Sequence, residues 1–200
     1  MNRQISLTSE IFAGGDNANA EDLFPTAIGL RAAFGSEIDW KVSPGEDRHR
    51  RALYTMWRRS NPYPSMAAFD APNREVCTVR RVRTNTPLQA LVTMNDPVYM
   101  EAAQALASRA LQQGGSTSAD RIRFLFEICL SRQPEVAEAD RLMRLYEKSR
   151  QSLRNDPAKA MKLAVDPIGP APAGINTLDL AAWTIVGNVM LNLDETLMKR

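Results

Sequence analysis

The stretch Phe69-Asp70-Ala71-Pro72-Asn73-Arg74-Glu75-Val76-Cys77-Thr78-Val79-Arg80-Arg81-Val82-Arg83-Thr84-Asn85-Thr86-Pro87-Leu88-Gln89-Ala90-Leu91-Val92-Thr93-Met94-Asn95-Asp96 divides the chain into two kinds of text. Up to Thr84 it is an arginine-rich loop, with Arg74, Arg80, Arg81 and Arg83 inside ten residues. At Thr86-Pro87-Leu88-Gln89 it becomes a helix start: Pro suits the first helical position, and Gln three residues after Thr completes a capping box. Guanidinium groups beside a helix N-terminus need a counter-charge, because the unpaired amides there already carry partial positive charge. Two sources are available. Asp70 and Glu75, with Glu46 and Asp47 upstream, can pair with the arginines and pin the loop, or an external oxyanion can sit among Arg74, Arg80, Arg81, Arg83 and Thr86.

Downstream the text is helical. A helix from Thr86 to about Met94 is followed by Asn95-Asp96-Pro97, which ends it and caps the next. That one carries Met100, Ala103, Leu106, Ala107, Ala110 and Leu111 on one face and closes at Gly114-Gly115. Ile122, Leu125, Phe126, Cys129 and Leu130 repeat at helical spacing, which places Cys129 on a buried stripe as a small inert core residue. A helix from Val136 to about Leu153 points Ala139, Leu142, Met143, Tyr146 and Leu153 inward. Asp156-Pro157 opens a short helix to about Ala164, and residues 166–174, rich in Pro and Gly, read as a surface connection. A last helix over Leu178 to about Leu197, with Leu178, Ala182, Ile185, Val189, Leu193 and Leu197 on one side, is expected to pack centrally.

Upstream the text is less regular. Ile5, Leu7 and Ile11 suit a short strand or extended arm, Ile28–Phe34 suits a helix, and Arg48–Arg59 suits a helix with Leu53, Met56 and Trp57 on its apolar face, stopped by Asn61-Pro62-Tyr63-Pro64. The fold is therefore expected to be mainly α: an irregular N-terminal arm over residues 1–40, then one α-helical domain over 41–200. Within that domain the arginine-rich loop leads into an orthogonal or bundle-like set of helices.

At 200 residues, 44% hydrophobic and 24% charged, the chain can bury a real core. Its net charge of +2 conceals a local excess: residues 41–90 hold ten Lys+Arg against four Asp+Glu. No apolar run approaches the length of a membrane span, and the first residues lack the apolar core of a signal peptide, so the chain as written is expected to be soluble. Cys77 and Cys129 fall in no C-x-x-C or haem-attachment spacing, and Asp70, Glu75 and Asp96 match no cation-binding loop, so no metal or cofactor is expected. The sequence leaves a bridge between the two cysteines open.

The Phe69–Leu91 text, with Arg50-Arg51-Ala52-Leu53-Tyr54-Thr55-Met56-Trp57-Arg58-Arg59 before it and Leu191-Asn192-Leu193-Asp194-Glu195 near the end, resembles the C-terminal planctomycete-specific domain of unknown function. The likeness covers Trp40 to Arg200. Members of that family usually end large exported proteins that also contain a cytochrome-c-like domain. The resemblance therefore implies a truncated or stand-alone copy, with the family's upstream motif replaced here by Phe24-Pro25-Thr26-Ala27-Ile28-Gly29-Leu30-Arg31. It brings across no catalytic residue.

Three functions are weighed on these residues. A non-catalytic helical docking module, binding a preceding domain, a separate protein or a second copy, follows from the lack of any acid, base and nucleophile set. An anion-binding, hydrolytic or redox accessory domain would use the arginines with Asp70 or Glu75, or a Cys77 thiolate favoured by neighbouring arginine; the sole histidine, His49, offers no assured dyad. Nucleic-acid binding would use the same arginines with Tyr54, Trp57 and Tyr63, but a sequence pI near 8.7 falls short of the basic footprint expected.

Overall fold

The computed structural model describes residues 62–73, 75–80 and 84–198. The expected arm, its strand and its helices before Asn61 lie outside those residues, as does the boundary at residue 40. The described residues are about 68% helical, in eight helices, and contain no strand. The chain forms two units, Met1–Val92 and Thr93–Arg200.

In the first unit a short helix α1, Pro64–Ala68, buries Ser65 and Met66, and Tyr63 before it is buried as well. Sequence reading had placed only a helix stop here. Phe69 and Ala71 donate their amides to the carbonyls of Ser65 and Met66, and Asp70 takes a positive φ of 57° as the chain turns away. The loop then leads to α2, Pro87–Asn95, where the expected capping box forms: the Gln89 amide donates to Thr86 Oγ1 at 3.3 Å and the Thr86 amide to Gln89 Oε1 at 3.1 Å.

The second unit holds the end of α2 and helices α3 (Pro97–Gln113), α4 (Ser118–Leu130), α5 (Val136–Arg154), α6 (Pro157–Val165), α7 (Thr177–Leu191) and α8 (Asp194–Leu197). Short polar side chains start them: Asp96 accepts the Val98 amide, Thr117 that of Asp120, Asp156 that of Lys159, and Asn176 those of Leu178 and Asp179. Each satisfies donors that the first helical turn cannot satisfy itself.

The hub is α7, which packs against α3, α4, α5, α6 and α8. Its inward face is not the expected one. Leu180, Ala181, Ala182, Trp183, Thr184, Val186, Gly187, Met190 and Leu191 are buried, whereas Leu178, Ile185 and Val189 are only half-buried. A helix apolar around most of its circumference has no single stripe to read, because neighbours cover it on several sides. Nor does it run to Leu197. Asn192 ends it, its amide donating to the Asn188 and Val189 carbonyls, and the Thr196 hydroxyl donates to the Met190 carbonyl at 2.7 Å, so α8 begins afresh after Leu193.

On α3, Ala103, Ala107 and Ala110 are fully buried. Gly187 of α7 comes so close that a Cβ there would lie 2.9 Å from the Ala103 carbonyl oxygen. The connection over 166–174 is irregular as expected, but it is not loose at its start. Gln104, 1% exposed, donates to the carbonyls of Leu163 (2.8 Å) and Asp166 (2.7 Å) and accepts from the Ile168 amide (3.2 Å). A buried glutamine thus replaces the hydrogen bonds that this non-helical backbone cannot make with itself.

Candidate functional site

Asp70 bonds Thr84. Its Oδ2 accepts the Thr84 amide at 2.8 Å and the Thr84 hydroxyl at 2.7 Å, joining positions fourteen residues apart. Gln89, 1% exposed, extends the link: its Nε2 donates to Thr84 Oγ1 (3.0 Å) and to the Ala68 carbonyl (2.8 Å), while its Oε1 holds Thr86. The loop is therefore clasped at its base by Asp70, Thr84, Thr86 and Gln89. Glu75 also bonds locally, its Oε2 accepting from Asn73 Nδ2 and its amide donating to Asn73 Oδ1, both at 3.1 Å. The expected pairing of Asp70 and Glu75 with arginine is absent among the described residues.

Between the two ends of the clasp, residues 75–80 are exposed, Arg80 and Cys77 among them. Val76 is 72% exposed and Val79 fully so. Arg74, Arg81 and Arg83 lie outside the described residues. Thr84 and the burial of Gln89 escaped sequence reading; the only signal was the Gln of the capping box, which predicted a helix start and not a loop clasp.

The second unit holds further ionic groupings. Arg132, in the turn after α4, grips Glu138 through Nη1 and Nη2 at 2.8 and 2.7 Å and Glu195 through Nε and Nη2 at 2.8 and 2.9 Å, with its guanidinium 5.0 Å from the centre of the Phe126 ring. Glu138 also accepts the Glu135 amide at 2.8 Å at the start of α5. The Arg132 bonds hold the Glu138 carboxyl down at about 2, against the opposing effect of desolvation. On the α5 and α7 side, Tyr146 stacks on Trp183 with ring centres 4.7 Å apart, and its hydroxyl donates to Asp179. Trp183 Nε1 is buried without a hydrogen-bond partner among the described residues.

Cys129 and Cys77 are free thiols. Cys129 is half-buried, and burial pushes its pKa up to about 11, with Arg109 pulling weakly the other way, so it stays protonated at neutral pH as an inert core thiol does. Among the described residues no group of His, Cys, Asp and Glu could hold a metal ion, and no helix is long and apolar enough to cross a membrane.

The described residues are thus helices, with a loop clasped at its base before α2. The chain belongs to the PSD1 family, described as "Protein of unknown function (DUF1553)", which matches residues 11–146. That span begins upstream of Trp40, includes the whole clasp, and stops within α5 before the Leu191–Glu195 text. No curated protein and no solved structure matches the chain.

Proposed function

We propose that this chain is a non-catalytic helical docking module of a larger cell-envelope protein, and that it binds through the clasped loop and the adjoining face of α2. The observation that carries this reading is where apolar side chains meet water. Of the eight large apolar side chains exposed among the described residues, Val76, Val79, Leu88 and Leu91 fall within sixteen residues around the arginine run. Single exposed apolar residues are ordinary, but a cluster on a segment fixed at its base is characteristic of an interaction surface. The polar groups nearby, Asp70, Thr84, Thr86 and Gln89, satisfy one another, which suits a scaffold that presents a loop rather than one that performs chemistry. The partner is a preceding domain, a separate protein or a second copy.

Sedimentation at several protein concentrations, with a hydrophobic dye as reporter, tests this. Association or dye binding by the natural chain is expected to fall in Val76→Ser/Val79→Ser and in Leu88→Ser, with circular dichroism unchanged. A clean monomer that binds no dye would remove the reading. Strongly salt-dependent binding to DNA, undisturbed by the valine changes, would favour the nucleic-acid alternative.

A further inference from the structure

The docking surface pairs a charge with its apolar side chains. Between residues 74 and 83 the sequence sets four arginines against one glutamate, and residues 84–95 carry no charge at all. The carboxylates of Asp70 and Glu75 accept hydrogen bonds from Thr84 and Asn73. Arg80 is exposed and makes no hydrogen bond or ion pair among the described residues.

The clasp limits how far this charge lies from the apolar side of α2. Thr84 Oγ1 is 3.0 Å from Gln89 Nε2. Arg80 stands four residues before Thr84, and four residues extend at most about 14 Å. Leu88 and Leu91, 52% and 45% exposed, are neighbours one turn apart on the same side of α2. An amphipathic segment of about four helical turns, roughly 20 Å long, therefore has the length to cover both leucines and still bring carboxylates to Arg80. Residues 70–98 contain no aromatic side chain to stack on a base, and the exposed side of α2 offers leucine where a phosphate backbone would call for cations. A symmetric pairing of two copies would set the same basic face against itself.

We propose that the partner of this surface is an acidic amphipathic protein segment, which lays apolar side chains on Leu88 and Leu91 and presents Asp or Glu to Arg80. The inference rests on the docking reading and adds the sign of the partner's charge. Fluorescence anisotropy of two labelled peptides against the full chain tests it: one of about four turns with leucine at helical spacing and glutamate elsewhere, and its counterpart with lysine in place of glutamate. The glutamate peptide should bind saturably, at least tenfold more tightly than the lysine peptide, and more weakly as salt is raised. Arg80→Glu should weaken that binding at least tenfold, as should Leu88→Ser combined with Leu91→Ser, each with native circular dichroism. Arg144→Glu, on the exposed side of α5, should leave it unchanged. Equal binding of both peptides, lost in the double leucine variant, would overturn the charge selection while the docking reading stood; so would binding of neither peptide by a chain that still binds the hydrophobic dye. Tighter binding to DNA or to phosphatidylglycerol vesicles than to the glutamate peptide, lost in Arg80→Glu, would overturn the proposal in favour of nucleic acid or lipid.

Discussion

In α7 the tryptophan, the valine at 186, Met190 and two leucines are buried and the helix is covered on several sides, whereas α2 buries Gln89 and Thr93 and leaves Leu88, Leu91 and Met94 about half exposed. The same two classes of side chain have exchanged places. In α7 the driving force is removal of apolar area from water, roughly 25 cal/mol for each Å². In α2 the inward residues are held by directed bonds: Gln89 to Ala68, Thr84 and Thr86 within the first unit, and Thr93, in the second, through its hydroxyl to Asn192 Oδ1 at 2.8 Å and through its carbonyl to Asn188 Nδ2 at 3.1 Å. The docking reading rests on these exposed apolar side chains of α2.

Removing the centre of α7 should have the largest effect. Trp183→Ala deletes a fully buried ring and its stack on Tyr146, and is expected to lower the stability of the second unit by about 3–5 kcal/mol in urea unfolding. A loss below 1 kcal/mol would mean that α7 is not the hub and would erase the contrast with α2.

The polar counterpart is smaller. Gln89→Leu supplies an apolar side chain of similar size but removes the donor to the Ala68 carbonyl and leaves the Thr84 hydroxyl with Asp70 alone, at an expected cost of about 1–3 kcal/mol. The clasp should open with it, so trypsin should cut faster at Arg74, Arg80, Arg81 and Arg83 than in the natural chain. Unchanged cleavage would show that the loop is held by something other than Gln89.

Acid sharpens the comparison from the side of the second unit. Glu138 is held at about 2 when folded, against an ordinary value of 4.5, so its contribution is complete above about pH 4.5 and is lost as pH falls toward 2. Because both Arg132 pairs face solvent in part, the expected loss is about 1 kcal/mol. Urea midpoints measured between pH 5 and pH 2 for the natural chain and Glu138→Gln should converge at the acid end; parallel curves would refute the linkage.

Legibility followed the same division. The caps at Thr86, Asp96 and Asp156, the helix stop at Gly114 and the stripe of Ile122, Leu125 and Phe126 could be read because each depends on residues within a turn or two of one another. Family membership was legible for a related reason, a long contiguous block with unusual residue order. Asp70 with Thr84, Gln104 with Asp166 and Arg132 with Glu195 could not be read. They join positions 14, 62 and 63 residues apart, and nothing near any of these residues announces its partner.

What the sequence by itself determined is the helical class and most helix starts, since propensity, capping and periodicity are local properties of the chain. Only the tertiary structure decided that α7 is buried on several sides, that α8 separates from it at Asn192, and that Asp70 clasps the loop through Thr84. A carboxylate takes the donors that folding brings within about 3 Å of it, and which donors arrive depends on how distant segments pack, a quantity no local pattern contains.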